Sequence, residues 1–261
     1  MPSWFESRPR AVPREAGVVA ALLLGALVAW IVTYRRMRGM DAGPGTDLGG
    51  LGWYVGVWVT MMAAMMLPSV APMVLTFARV EDARRTTRGG TWLFVGGYLI
   101  VWTAYGLVAY GIYRAAKDVA PSFFSWGHAG RYVAGGALVA AAAYELTPLK
   151  HVCLRHCRGP IHFVLGGWRG GTADALRMGV EHGAYCVGCC WGLMVVLFAL
   201  GVMSLTWMAA VALVILAQKL LPYGERLALV SALLFVVLGL WVVAAPASVP
   251  GLHVPGKSDR R

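Results

Sequence analysis

Charge is scarce in this 261-residue chain. Asp, Glu, Lys and Arg together make up 13% of it, about half of the roughly 25% carried by soluble domains. The shortage is sharpest for acids, with 12 against 23 basic residues and a formal charge of +11. Reaction signatures are missing as well: there is no glycine-rich loop followed by Lys-Ser or Lys-Thr, no His-Glu-x-x-His and no Gly-x-Ser-x-Gly. Nucleotide hydrolysis and serine or zinc proteolysis therefore have no support. Cysteine is sparse, five residues, an odd number whose densest cluster falls near the side read below as reducing. A structural disulfide framework is not expected.

What the chain has instead is apolar length: 59% of its residues are hydrophobic. Seven apolar runs can be marked, at residues 16–33, 51–67, 92–112, 133–149, 184–200, 202–221 and 227–245, each near the ~20 residues that cross a bilayer as a helix. Hydrocarbon leaves backbone N–H and C=O groups without water, so such runs must be helices or barrel strands, and their continuity lacks the alternation of a barrel. The expected fold is all-α, a polytopic transmembrane bundle of about seven helices, or six on the alternative count. It occupies residues 16–245, between a cytoplasmic tail at 1–15 and a C-terminal tail at 246–261, with a long loop at 150–183. The first run is followed by TYRRMRG rather than a small-residue cleavage site, which reads as a retained helix, not a signal peptide.

The basic residues sit in short loops and at helix ends, where they orient a membrane protein, so the charge does not argue for nucleic acid. With seven helices, the side of the N terminus carries 14 Lys and Arg against 9 on the other. That bias predicts a cytoplasmic N terminus and a cytoplasmic 150–183 loop.

The stretch EHGAYCVGCCWGLM, residues 181–194, concentrates three of the five cysteines beside His182 and Met194. On a helix with His182 at zero, Cys186 falls near ~40°, Cys189 near ~−20° and Cys190 near ~80°. The four side chains share a face, and Met194 lies one turn further at its edge. Thiolates and thioethers select Cu(I), zinc or iron–sulfur centres over magnesium or calcium. A single buried cysteine reads as a small apolar packing group; three on one face beside a histidine point to metal.

A second cluster, LTPLKHVCLRHC at residues 146–157, offers Cys153 and Cys157 four apart, with His151 and His156. It reads equally as a basic interfacial segment with solvated histidines, given Lys150, Arg155 and Arg158. If it folds back, Cys153 and Cys157 approach Cys186 and Cys189 in a four-sulfur set at the membrane edge. In WVTMMAAMMLPSVAPM, residues 58–73, Met61, Met62, Met65 and Met66 cover one broad side of a helix that Pro68 and Pro72 are expected to end or kink. Met62 and Met66 are candidate thioether ligands, against the plainer reading of methionine as a gap filler. Glu145 can be a hard ligand, a proton acceptor, the counter-ion of Lys150 or a group that snorkels to water. Gln218 and Lys219 read as an interfacial anchor.

Four stretches carry a family resemblance: TMMAAMMLPSVAP at 60–72, YELTPLKHVCLRHCR at 144–158, GAYCVGCCWGLM at 183–194 and GVMSLTWM at 201–208. In them the chain resembles a family of bacterial integral membrane proteins described as predicted metal-binding. The resemblance implies a multi-helix membrane fold and a metal site at Cys153, Cys157, Cys186, Cys189 and Cys190. In that family an acid often precedes the lysine that is Lys219 here; this chain has Gln218.

The expected cargo is a transition metal, copper before zinc or iron, held by cysteine with His and Met support. The expected role is metal handling or transfer in a lipid bilayer, with a metal chaperone or a membrane complex as candidate partner. Two other classes stay open. One is a membrane oxidoreductase acting on a lipid-soluble substrate, with Glu145, His151 or His182 as acid or base. The other is an accessory subunit with a structural metal.

Overall fold

The computed structural model describes residues 12–38, 48–85, 89–119, 130–201 and 204–249. The N-terminal segment before Val12, most of the glycine-rich loop at 39–50 and the C-terminal tail from 250 lie outside them. The described residues form nine α-helices and no strand: α1 Val12–Met37, α2 Leu51–Ala83, α3 Gly90–Val119, α4 Gly130–Glu145, α5 Pro148–Arg158, α6 Pro160–Gly167, α7 Thr172–Leu200, α8 Leu205–Leu220 and α9 Gly224–Ala244. Five of them, α1, α2, α3, α7 and α9, are long and apolar enough to cross a bilayer, and α8 is apolar but shorter.

Nine helices correct the expected seven. Each apolar run does contain a helix, but the stretch read as a loop at 150–183 is itself helical, forming α5, α6 and the first turns of α7. The apolar pattern hid this because α7 begins with a polar extension. There Asp174 accepts from the N–H groups of Arg169 and Gly170 at 2.8 and 3.0 Å, and Arg177 pairs with both Asp174 and Glu181. Such i,i+3 and i,i+4 pairs support a helix that hydropathy alone cannot reveal. Between α4 and α5 the chain breaks at Thr147–Pro148. Thr147 Oγ1 donates to the Tyr144 carbonyl and accepts from Lys150 N–H, with Pro148 in the first helical turn. Pro68 and Pro72, expected to end or kink the helix, do not end it, since α2 runs through both to Ala83.

One end of the bundle is tied by Glu81 of α2. Its carboxylate accepts from the Gly90 N–H and the Thr91 hydroxyl, both at 2.7 Å, at the start of α3, and from Arg14 of α1 at 3.0 Å. A carboxylate at a helix N-terminus meets free N–H donors and the positive end of the dipole. Toward the other end, in the first turns of α2, it is joined to α3 by Trp58 Nε1–H donating to the Trp102 carbonyl at 2.8 Å and by Tyr54 OH donating to the Gly106 carbonyl at 3.1 Å.

The most extensive contact is between α3 and α7, which run parallel. Glycine makes it possible: a Cβ on Gly97 would strike the Leu176 carbonyl oxygen, and one on Gly179 the Phe94 carbonyl oxygen. Small residues let helix backbones approach where lipid supplies no hydrophobic drive. The close approach sets α7 and therefore everything α7 carries. Gly179→Val is expected to lower stability by about 2 kcal/mol or more through overpacking; thermal unfolding in detergent measures it against the wild type.

Candidate metal centre

The cysteine-rich turn of α7 is fully buried: Cys186, Cys189 and Cys190 are 0–2% exposed. Their sulfurs all lie within 4.8 Å of one another, and Cys189 and Cys190 are 3.3 Å apart. From α5, Cys157 brings a fourth sulfur to 3.6 Å from that of Cys189. Metal–sulfur bonds of about 2.3 Å put two sulfurs of a shared tetrahedral ion roughly 3.8 Å apart, and at most about 4.6 Å. The two closest spacings, 3.3 Å between Cys189 and Cys190 and 3.6 Å between Cys189 and Cys157, fall within about half an ångström of that tetrahedral value.

Cys157 is the half-exposed member of this set. Its thiol is pushed well above the ordinary range, first by its hydrogen bond to Cys186, with Cys189 acting in the opposite sense and burial adding to the rise. Cys153 stands elsewhere on the same helix. Its sulfur packs on α7 at Gly188, where an added Cβ would come within 2.6 Å of it, and burial pushes its thiol up while Lys150 opposes.

Cys186 has two polar partners from other helices. Lys219 Nζ of α8 donates to its sulfur at 2.9 Å and also reaches Ser69 Oγ of α2 at 3.4 Å, while the Tyr98 hydroxyl of α3 lies 3.0 Å from the same sulfur. Lys219 is only 7% exposed, which corrects its reading as an interfacial anchor. Among the described residues no carboxylate pairs with it, so the nearest group that can carry a compensating negative charge is a cysteine sulfur. A buried ammonium is costly without such a partner.

Its neighbour Gln218 points into a second buried network. Glu145, at the end of α4, accepts from Lys150 Nζ at 2.7 Å and from Gln218 Nε2 at 2.9 Å. Lys150 Nζ also donates to Gln218 Oε1 at 2.9 Å and to the Cys189 carbonyl, and Gln218 Nε2 reaches Ser231 of α9 at 3.1 Å. Glu145 and Lys150 are each 0% exposed, so Glu145 does not snorkel; it is the counter-ion of Lys150. A glutamine suits this place because it both donates to Glu145 and accepts from Lys150. An ionised acid there could only accept.

The remaining candidates are placed as follows. His182 lies one turn before Cys186, among the rings of Phe94, Tyr98 and Phe163 at 5.4–5.9 Å, with its Nδ1 buried and without a hydrogen-bond partner. His156 stacks flat on Tyr185, centroids 4.3 Å apart, at the outer side of the cluster. His151, in the first turn of α5, likewise has its Nδ1 buried without a partner. Met62, Met66 and Met194 are fully buried in the same core as the α7 cysteines. Sequence reading missed Lys219, Tyr98 and Ser69 as neighbours of the thiols. The one signal available was a lysine in the last turn of an apolar run, beside another polar residue.

An all-helical bundle with a buried thiol cluster defines a class of metal-binding helical proteins. The family model for PpoB2, a copper chaperone, matches residues 55–242, and the chain belongs to that family. No curated protein and no solved structure matches it.

Removing one member of a fully buried ion pair leaves the other charge uncompensated, at a cost of about 3–5 kcal/mol. Glu145→Ala is expected to lose that much stability, and urea or thermal unfolding in detergent checks it. Because Lys150 also holds the Cys189 carbonyl, the variant is further expected to raise the alkylation rate of the cysteines, read by mass spectrometry.

Proposed function

We propose that the protein is a multi-pass protein of the bacterial cytoplasmic membrane that takes up Cu(I) in a thiolate pocket and passes it on, as a membrane-embedded copper chaperone. The observation that carries this reading is the buried group of three sulfurs from Cys186, Cys189 and Cys190, with that of Cys157 at its edge 3.6 Å from Cys189, in a chain of the copper chaperone family. Soft sulfur donors suit Cu(I), and two thiolates suffice for it, whereas zinc demands four ligands.

Electrostatics support the same reading. Cu(I) held by two thiolates carries a net charge of −1, and Lys219 beside Cys186 supplies the single positive charge that balances it. At membrane depth that balance decides whether the site can be occupied at all. His182, one turn away with a buried Nδ1 that has no hydrogen-bond partner, is the candidate supporting ligand, although it stands outside the close group of three sulfurs. Glu145 takes no part in binding, because its oxygens are engaged by Lys150 and Gln218. A site made of clustered thiols, with no carboxylate among the close donors, favours handling over oxidoreductase chemistry.

Access is from the end at which α7 begins, where Cys157, His156 and Tyr185 are the half-exposed residues over the cluster. With the buried Lys150 and Lys219 left out, the excess of Lys and Arg on that side, about 12 to 9, supports a cytoplasmic position for that end. A soluble copper donor of the cytoplasm, or a membrane complex that receives the ion, is the partner this arrangement suits.

Titration of the reduced, purified protein with Cu(I) against a colorimetric chelator tests the proposal. The wild type is expected to bind tightly. Cys186→Ser and Cys189→Ser should weaken binding by about 100-fold or more, equivalent to about 2.7 kcal/mol, while Cys153→Ser stays within a few-fold. Lys219→Met should weaken it about tenfold and Lys219→Arg should restore most of the loss. A reduced, metal-free sample that binds no Cu(I) overturns the reading.

A further inference from the structure

Two contacts fix the register of α2 against α7. At one level Ser69 and Cys186 share the Lys219 ammonium, and further along Trp58 meets Phe198 with ring centroids 5.9 Å apart. Ser69 and Trp58 are 11 residues apart, Cys186 and Phe198 are 12; the two antiparallel helices therefore stay in step over this length. With a rise of about 1.5 Å per residue, heights above the Cys186 level can be read for every residue between.

The methionines fall into a column on that scale. Met66 lies about 4.5 Å above Cys186, Met62 about 10 Å, Met194 about 12 Å, and Met208 of α8 about 16 Å, counted from Lys219. They also share a direction. Met62 and Met66 lie within about 60° of Ser69 around α2, Met208 within about 20° of Lys219 around α8, and Met194 between Cys186 and Phe198 around α7. All four are 0–1% exposed and belong to the same buried core as the three α7 cysteines. The column starts at the thiolates and climbs in steps of about one helical turn or less toward the end of the bundle opposite Asp174 and Glu81.

We propose that Met66, Met62, Met194 and Met208 form a thioether relay that carries Cu(I) from the cysteine pocket toward the opposite membrane face, which makes the transfer vectorial. The inference rests on the copper reading above and adds a direction to it. Each step between thioethers exchanges one Cu–S bond for another, and the ion stays Cu(I) with no electron moved; when the ion leaves the cysteines, their thiolates are recharged by protons or by the next Cu(I) from the access side. Thioethers are neutral, polarizable and carried on side chains with three rotatable bonds, so they can bind a soft cation and release it again. Leucine would pack the same volume without that capacity.

The test uses the full chain in liposomes loaded with a Cu(I) chelator, with Cu(I) and ascorbate outside. Wild-type vesicles are expected to deliver copper to the lumen faster than protein-free ones. The variant carrying Met62→Leu, Met66→Leu, Met194→Leu and Met208→Leu should keep the copper affinity of the cysteines within a few-fold and deliver at least tenfold more slowly. Met→Leu is close to volume-conserving, and Met178→Leu, equally buried but on the access side of the cluster, should leave delivery unchanged. With selenomethionine protein and Cu(I) in excess over the cysteine site, X-ray absorption should detect Cu–Se bonds that the fourfold variant lacks. Unchanged delivery by the fourfold variant, no delivery by wild type above background, or loss of cysteine-bound copper in the fourfold variant each overturns the relay. Failure of the wild type to bind Cu(I) at all overturns the copper reading itself.

Discussion

The site depends on a closed ring of three fully buried polar residues, Glu145, Lys150 and Gln218, drawn from α4, α5 and α8. In an apolar bundle an unpaired charge or amide is expensive, and these three satisfy one another. Lys150 has three N–H bonds and gives one each to Glu145, Gln218 and the Cys189 carbonyl. Through that last bond the short helix α5 is pinned against the middle of α7. Two turns further along α5, Cys157 then falls beside Cys189. The ring binds no cargo; it places the helix that brings the fourth sulfur.

Consecutive residues of α8 serve the two networks. Gln218 completes the ring, and Lys219, about 100° away around the helix, faces Cys186. The end of α8 thereby couples the part that holds the helices to the part that holds the ion. Any change in the packing of this turn alters both the position of Cys157 and the charge beside Cys186. Tyr98, carried by α3 along the glycine-lined contact with α7, completes the polar surroundings of that sulfur.

Hydropathy made the helical class legible, because long apolar runs admit few other structures. It failed between residues 150 and 183 for a physical reason: α5 and the start of α7 are amphipathic or charged, and their helicity comes from capping at Thr147 and from the pairs that Arg177 makes with Asp174 and Glu181. Pro68 and Pro72 in isolation allow either an end or a kink; α2 is packed along its length and continues through them without an end. For the site, helical spacing alone put Cys186, Cys189 and Cys190 on one face. It said nothing of Lys219, whose side chain was free to reach either water or the core.

The sequence by itself determined that the chain is an apolar helical bundle and that three cysteines of one helix share a face, since composition and a period of 3.6 residues are properties of the chain alone. Which distant residues meet that face was decided only by tertiary structure. Cys157 rather than Cys153 reaches the cluster, Lys219 turns inward, and Glu145 is claimed by Lys150. Each outcome follows from how a buried polar group finds its partner once the helices are packed, and that choice has no counterpart in local sequence.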